Sequence, residues 1–354
     1  MMMKKLLCCL LAAGMAAGLC ACGEKDESKT VYAMDTVMTF RVCGRETEPV
    51  LSAMERRVKE LEDVLSRTRT DSEVSALNAA AGAETAVSFE VWSLLAKARE
   101  TAEATSGAFD PTIAPVVSAW GFGGESYRVP EKEELEALLP AVDYSGITLR
   151  QGEGTYLVSL RPEQSIDLGG IAKGYTSDCM ADLLLEGNID HACVSLGGNV
   201  LAWGTKTDGT PWRVGVKDPR DTAALCGVLE LENAYAVTSG GYERFFEENG
   251  KTYHHIIDPA TGCPAQSDLQ SVTIVMDWGH EKLNGKAGSG TVCDALSTAL
   301  FVMGEEAALD FWRSGTYDFD AVLVTADGRV LTTAGLAERF VPAEGSGYTY
   351  ETVS

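Results

Sequence analysis

The chain has 354 residues, of which 45% are hydrophobic and 36 are glycine, a composition typical of a globular, enzyme-like protein with a sizeable core. The 52 acidic and 29 basic residues give a formal charge of −23 at pH 7, which disfavours binding to nucleic acid or to anionic lipid. An anionic ligand must therefore be held locally, by backbone N–H groups, by a metal ion or by a few cations.

The first 22 residues predict a lipoprotein signal peptide. Lys4 and Lys5 precede the apolar run LLCCLLAAGMAAGL, which is long enough for the core of a signal peptide and too short for a membrane span. Cys22 follows the small Ala21, as in the lipobox of bacterial lipoproteins, and is the predicted lipidation site. An ordinary secretory signal is the alternative.

The rest of the chain predicts one exported domain. Residues 23–30 are polar and are expected to form a tether, and residues 31–354 show no linker and are expected to form a single domain. Lipidation at Cys22 would anchor this domain to a bacterial cell membrane on its extracytoplasmic side. The six cysteines outside the targeting segment show no paired metal spacing and are expected to be mostly buried thiols.

Predicted helices and strands follow each other irregularly after the tether, without a repeating βαβ pattern. We therefore predict an α+β fold with mixed, mainly antiparallel sheets and flanking helices. A long ordered loop is expected at residues 106–124, where prolines and glycines interrupt both patterns. An amphipathic helix is predicted to include residues 51–65, and further helices are predicted at residues 90–105, from about 167 and from about 293. Strands are predicted at residues 30–44, 146–149, 156–160, 192–195, 200–203, 212–216, 225–230, 234–238, 252–257, 271–275, 321–325 and 330–333.

The segment DLGGIAKG at residues 167–174 predicts an anion site. Glycines at 169 and 170 would let backbone N–H groups approach a ligand, and a helix N-terminus attracts anions. Lys173 stands near the positive end of the helix dipole, where a cation is unfavourable unless an anion such as a phosphate binds beside it. The alternative is a plain strand-to-helix turn with a solvated lysine.

The segment CDALSTALFVMG at residues 293–304 predicts a cation site on a helix. Asp294, Ser297 and Thr298 are spaced at i, i+3 and i+4, which places three oxygen-bearing side chains on one face. Such oxygens suit a hard cation such as Mg²⁺, which takes few protein ligands. The alternative is that Asp294 is only the N-cap of the helix.

Two adjacent histidines lie in the segment TSGGYERFFEENGKTYHHIIDPATG at residues 238–262. In a strand, alternation would place His254 and His255 on opposite faces, so that one belongs to the core and the other is available as a proton acceptor. Asp258 is expected to be a turn residue.

These segments, together with AMDTVMTF, SGAFDPT, WGF and SLGGN, resemble in order the motifs of the ApbE family, the FAD:protein FMN transferases. The resemblance runs through nearly the whole mature chain and implies an ApbE-type, T-fold-like architecture. It also implies an Mg²⁺-dependent transferase that cleaves FAD, moves FMN onto a threonine or serine hydroxyl of an acceptor flavoprotein and releases AMP. The implied acceptor belongs to a membrane redox complex.

The resemblance assigns roles to individual residues of this chain. It implies that His255 is the base, that the pyrophosphate lies near Lys173, and that Asp294 is both catalytic and a metal ligand. The implied metal residues are Gly170 through its backbone carbonyl, Asp294, Thr298 and, as the weakest candidate, Ser297. The implied FAD-binding residues are Met34, Ala108, Phe109, Asp110, Asp167, Lys173, His255 and Ile257.

The chain departs from the family pattern where many members have a tyrosine, since it reads SRTRT at residues 66–70, so an aromatic contact to the flavin is absent or supplied elsewhere. Two alternative functions stay open. One is an Mg²⁺-dependent FAD pyrophosphatase that yields FMN and AMP, and the other is a non-catalytic, lipid-anchored FAD-binding protein. A solute-receptor lipoprotein fits the signal peptide but not the motifs.

Overall fold

The computed structural model of the protein describes residues 25–124, 126–278 and 288–354. The predicted signal peptide, the predicted lipidation site Cys22 and the first two residues of the predicted tether lie outside the described residues. The described helices are α1 Thr47–Leu65, α2 Glu73–Ala79, α3 Phe89–Ala104, α4 Ala114–Ala119, α5 Lys132–Leu138, α6 Ala172–Glu186, α7 Ser289–Met303 and α8 Glu305–Arg313. None of them is both long and apolar enough to cross a membrane.

The described strands form one large sheet and three small ones. The large sheet has nine strands in the order β1-β2-β6-β7-β10-β13-β14-β15-β17, and the small sheets have the orders β16-β9-β8, β3-β5-β4 and β11-β12. The strands are β1 Lys25–Ala33, β2 Thr36–Gly44, β3 Thr85–Val87, β4 Thr148–Gly152, β5 Thr155–Ser159, β6 His191–Leu196, β7 Asn199–Trp203, β8 Trp212–Asp218, β9 Asp221–Leu231, β10 Ala234–Gly240, β11 Phe245–Glu248, β12 Lys251–His254, β13 Leu269–Asp277, β14 Asp320–Thr325, β15 Arg329–Thr333, β16 Phe340–Pro342 and β17 Thr349–Val353.

All pairs between these strands are antiparallel except β15 with β17, so the predicted α+β fold with mainly antiparallel sheets is confirmed. Helices α1, α6 and α7 cover one face of the large sheet and share its main core. The sheet β16-β9-β8 packs a second core against the opposite face. A third core joins α2, α3 and β5 to α7 through the buried Ala295 and Ala299.

The strand predicted at residues 30–44 is a hairpin. β1 and β2 pair with Ala33 opposite Thr36, which leaves Met34 and Asp35 as a two-residue turn with φ of 48° and 58°. Positive φ at both turn residues is what a right-twisted hairpin requires, but Asn and Gly usually supply it. Because Met34 is not a typical turn residue and no glycine accompanies Asp35, the sequence pattern did not reveal the turn.

The polar tether predicted at residues 23–30 is wrong for residues 25–30, which already belong to β1. Lys29 Nζ lies 2.5 Å from Glu55 Oε2 on α1, and Asp26 makes two hydrogen bonds with Arg41 of β2. β1 is an edge strand, and charged residues are common on such strands because they discourage pairing with other chains. The polarity that indicated a tether is therefore that of an edge strand.

Two further element predictions need correction. The loop predicted at residues 106–124 contains the short helix α4, which begins where Pro115 occupies an early helical position that suits proline. The strand predicted at residues 252–257 ends at His254. His255 therefore follows the strand rather than belonging to it.

Candidate active site

A cavity of about 450 Å³ opens near the ends of several helices and strands. Its walls come from the β1–β2 turn, the loop after α1, the loop between α3 and α4, the N-terminus of α6, the end of β10, the segment after β12 and the side of α7 that carries Asp294 and Thr298. Every predicted site residue in the described part of the chain lines this cavity except Ser297, namely Met34, Ala108, Phe109, Asp110, Asp167, Gly170, Lys173, His255, Ile257, Asp294 and Thr298.

Lys173 is the second residue of α6, in the first turn as predicted, whereas Gly169 and Gly170 precede the helix. Its ammonium group lies 3.4 Å from the carbonyl oxygen of Gly169 and 3.9 Å from Asp294 Oδ1. These contacts hold a cation at the N-terminus of a helix, where the dipole alone disfavours it. The side chain remains partly exposed to the cavity, so it is available to an anionic ligand.

Asp294 is not the N-cap of its helix, because α7 begins at Ser289 after Gly288. It lies within α7 and is 3% exposed. Its Oδ2 accepts a hydrogen bond of 2.8 Å from the backbone N–H of Gly174, so it caps α6 rather than α7. Oδ1 faces Lys173, which leaves a carboxylate oxygen at the wall of the cavity.

The crossing of α6 and α7 sets the position of Asp294. Gly174 and Gly290 meet so closely that a Cβ on Gly174 would lie 2.2 Å from the Gly290 carbonyl oxygen. Asp178 of α6 accepts hydrogen bonds from the backbone N–H groups of Gly290 and Thr291, so each helix supplies an aspartate that caps the other. Burial raises the pKa of Asp178 to about 6, and these hydrogen bonds oppose the shift.

Thr298 and Gly170 lie together beside Asp294. A Cβ placed on Gly170 would be 3.6 Å from Thr298 Oγ1 and 3.2 Å from the ring of Phe109. Ser297 is fully buried and does not line the cavity. Its hydroxyl contacts the Asp294 carbonyl oxygen and Ser239 Oγ, so Ser297 does not reach the cavity with the other predicted metal residues.

The two histidines are in opposite tautomeric states. His255 Nδ1 lies 3.1 Å from the carbonyl oxygen of Arg244, which only accepts, so Nδ1 carries the proton and Nε2 keeps its lone pair. Burial, with a smaller effect of the Arg244 charge, lowers the pKa of His255 to about 3. His255 is therefore neutral at pH 7 and is able to accept a proton.

His254 faces away from the cavity. Its Nε2 lies 3.2 Å from the Ala265 carbonyl oxygen, and its ring packs edge-on against Phe301 of α7. Asp258 closes the following turn, accepting hydrogen bonds from the backbone N–H of Ala260 and the hydroxyl of Thr261. Both residues are structural, as predicted for Asp258.

The predicted flavin-binding residues differ in how many hydrogen bonds they already make within the protein. Met34 is half-buried and is held by the hydrogen bond from its N–H to Glu62 Oε1 at 2.6 Å. Asp110 accepts three hydrogen bonds, from the N–H and hydroxyl of Thr112 and from the N–H of Tyr144, so its carboxylate organises the loop after α3. Burial raises the pKa of Asp110 despite these bonds.

Asp167 is held by a residue that the sequence analysis did not select. Arg67 Nε donates to Asp167 Oδ2 at 2.6 Å, and the same guanidinium donates to the Phe122 carbonyl oxygen and to Ser118 Oγ. Arg67 lies in the SRTRT segment, where the sequence departs from the family pattern, and that departure was the available signal. Phe122 itself lines the cavity and supplies an aromatic ring there.

Three more cavity residues, Ser239, Glu243 and Arg244, come from the TSGGYER part of a segment from which only the histidines and Asp258 were selected. The signal was present, because this stretch of hydroxyl, acidic and basic side chains joins the end of β10 to β11. Alternation in a predicted strand did not show which of them line the cavity.

Comparisons with known proteins agree with this geometry. The sequence profile of the ApbE family matches residues 34–323. A curated relative from Treponema pallidum, named FAD:protein FMN transferase, is 35% identical over 352 residues, covering 94% of this chain and 93% of its own. A relative of the same name from Haemophilus influenzae is 32% identical, covering 93% of this chain and 96% of its own.

Among solved structures, the ApbE protein of Thermotoga maritima superposes with a TM-score of 0.79 at 33% identity. The alignment covers 89% of this chain and 99% of that one. The family match at residues 34–323 spans every residue that lines the cavity rather than one motif.

Proposed function

The chain belongs to the ApbE family, and on that premise we propose that it is an FAD:protein FMN transferase. The enzyme takes FMN from FAD and attaches it to an acceptor protein. The acceptor group is a threonine or serine hydroxyl, and AMP is the second product. The observation that carries this proposal is the presence in one cavity of Lys173, Asp294 and a neutral His255 with a free Nε2 lone pair.

The reaction exchanges one phosphorus–oxygen bond for another. The acceptor hydroxyl oxygen forms a bond to the FMN phosphorus, the bond from that phosphorus to the bridging oxygen breaks, and AMP leaves with the bridging oxygen and its electron pair. His255 Nε2 takes the proton of the attacking hydroxyl. Lys173 and the N–H groups at the start of α6 provide positive potential for the pyrophosphate.

The residues present fit a Mg²⁺ ion. Asp294, Thr298 and the backbone carbonyl of Gly170 would supply oxygen ligands, and Mg²⁺ accepts so few because phosphate and water complete its shell. No group of three His, Cys, Asp or Glu side chains suited to a metal occurs among the described residues. When bound, Mg²⁺ would supply positive charge to the pyrophosphate oxygens.

We also propose that the protein is exported and anchored through lipid on Cys22, which would place it beside a membrane redox complex that carries the acceptor. Support comes from the sequence pattern of residues 1–22. Mass spectrometry of the protein purified from membranes should find Cys22 lipidated as the first residue. An unmodified N-terminus at another position would reject the proposal.

The transferase proposal is tested by co-expressing the chain with candidate flavoproteins and detecting covalent flavin by in-gel fluorescence. The acceptor should fluoresce with the wild-type chain and not with Asp294→Asn, which keeps the volume of the side chain but removes its charge. Equal fluorescence with the variant, or none with either chain across acceptors that a characterised relative modifies, would contradict the proposal.

A further inference from the structure

A short chain of hydroxyl groups links β10 to α7 behind the cation site. Ser239 Oγ lies 3.3 Å from Thr298 Oγ1 and 2.7 Å from Ser297 Oγ. Ser297 Oγ lies 2.8 Å from the backbone carbonyl oxygen of Asp294. This series of hydroxyl groups therefore begins at the wall of the cavity and ends at the backbone carbonyl of Asp294, whose side chain supplies the carboxylate of the site.

The direction of these hydrogen bonds follows from their last member. A carbonyl oxygen only accepts, so Ser297 uses its single proton for Asp294 and must accept from Ser239. Ser239 therefore donates its hydroxyl proton to Ser297, so its oxygen must accept a hydrogen bond from the Thr298 hydroxyl. All three contacts are hydrogen bonds at once only in this order.

The order has a consequence for Thr298. The hydroxyl proton of Thr298 points to Ser239 Oγ, and the lone pairs of Thr298 Oγ1 are left for a cation. A hydroxyl that pointed its proton at the cavity would repel a metal ion, because the hydrogen carries positive partial charge. Groups that orient a ligand in this way are typical of metal sites, and their loss commonly costs about 10- to 100-fold in metal affinity.

We propose that Ser239 is a positioning residue that orients Thr298 for a divalent cation, with Ser297 fixing the orientation of Ser239. The inference rests on the metal site of the proposed function, and it gives Ser297 a role without direct contact to the ion. Ser239 is suited to the task because it is only half-buried at the cavity wall while Ser297 is fully buried.

The test is a titration of the purified, FAD-free chain with Mn²⁺, followed by the electron paramagnetic resonance signal of the free ion. Ser239→Ala and Ser297→Ala should each weaken Mn²⁺ binding by about 10-fold or more, as expected for loss of a group that orients a ligand. Ser239→Thr keeps the hydroxyl and should bind Mn²⁺ close to the wild-type affinity. Asp294→Asn should show the largest loss.

Thr273 offers a matched control. Its hydroxyl lies 2.8 Å from Thr238 Oγ1, one residue before Ser239, and is outside the hydroxyl chain. Thr273→Val should lower the thermal midpoint of the metal-free protein about as much as Ser239→Ala, yet leave Mn²⁺ affinity unchanged.

Three results would overturn the inference. They are wild-type affinity in Ser239→Ala, an equal loss in Thr273→Val, and no Mn²⁺ binding by the wild-type chain. A chain that fails to transfer FMN for another reason would still show the expected series of Mn²⁺ affinities, so the two failures are distinguishable.

Discussion

Neighbouring histidines in this chain have different environments because the strand ends between them. His254 is the last residue of β12 and packs on α7, whereas His255 follows the strand and lines the cavity. The opposite tautomers follow from which ring nitrogen meets a carbonyl oxygen, Nε2 in His254 and Nδ1 in His255. Only His255 therefore presents an unprotonated nitrogen in the site.

We expect His255→Asn to slow FMN transfer by at least about 100-fold, since general-base assistance is worth about 10²–10⁴-fold. FAD binding, measured by quenching of flavin fluorescence, should change little. His254→Asn should instead lower the thermal midpoint and keep most of the transfer rate. If His254→Asn is the slower enzyme, the roles assigned to the two residues are reversed.

The low pKa of His255 predicts a pH dependence of stability in the substrate-free protein. The folded chain takes up this proton only near pH 3, whereas the unfolded chain takes it up near pH 6.5. The stability that the neutral ring contributes is therefore present above about pH 6.5 and is lost as the pH falls toward 3. Chemical unfolding at pH 7.5 and 5 should show a smaller loss for His255→Asn than for the wild type, and equal losses would contradict the assignment.

Asp294 has a structural and a chemical role that two substitutions separate. Asp294→Ala leaves the buried N–H of Gly174 without an acceptor, which costs about 1–3 kcal/mol of unfolding free energy, and it also removes the charge. Asp294→Asn keeps an oxygen for that N–H and should be nearly as stable as the wild type. Both should lose transfer activity, measured as covalent flavin on the acceptor, and activity in Asp294→Asn at limiting Mg²⁺ would show that the charge is not needed.

At the scale of elements, the crossing of α6 and α7 determines the geometry of the site. Lys173 is in the first turn of α6, and Asp294 and Thr298 are on the side of α7 that lines the cavity. The close glycine contact and the reciprocal aspartate caps bring the start of one helix against the middle of the other. A displacement here would separate Lys173 from Asp294.

Gly174→Ala tests this crossing, because its Cβ would lie 2.2 Å from the backbone oxygen of Gly290, which has little freedom to move. We expect a loss of about 1–3 kcal/mol in unfolding free energy, as for other overpacked contacts, and a lower transfer rate. Gly152→Ala is the matched control, since no described residue other than its chain neighbours lies within 4 Å of its Cβ position and its φ is not positive. Similar stability of the two variants would argue against a tight crossing.

The sequence predicted the α+β fold and most elements because apolar periodicity is strong in helices such as α1, where Leu51, Met54, Val58, Leu61 and Leu65 are all buried. The motifs in the sequence also predicted the site residues, and all of these in the described part of the chain except Ser297 line one cavity. It did not predict that Asp294 caps another helix, because that contact joins residues 120 positions apart.

Other features were missed for equally physical reasons. Arg67 gains its role only where the loop after α1 meets Asp167, a contact between residues 100 positions apart. Ser297 has the spacing of a ligand on α7, but β10 packs against its hydroxyl through Ser239. Local pattern does not contain such tertiary contacts.

At the scale of the whole molecule, a chain with a formal charge of −23 holds a cavity with several cationic side chains. Four basic side chains line it, Arg67, Arg69, Lys173 and Arg244, beside six acidic ones, so an anionic ligand must be held by individually placed cations rather than by a net positive cavity. The cavity lies where the large sheet, α6 and α7 meet the loops that follow α1, α3 and β12. Several distant parts of the chain therefore contribute to the site, whereas neither the sheet β16-β9-β8 nor the sheet β3-β5-β4 supplies a lining residue.

The most direct test of the account is to incubate the purified chain with FAD, Mg²⁺ and a threonine-containing acceptor peptide, and to quantify AMP and peptide-bound FMN together. We predict that the two products form in equal amounts and that a peptide with alanine in place of the threonine carries no FMN. AMP accompanied only by free FMN would show a pyrophosphatase, and unchanged FAD would show a binding protein; either result would contradict the account.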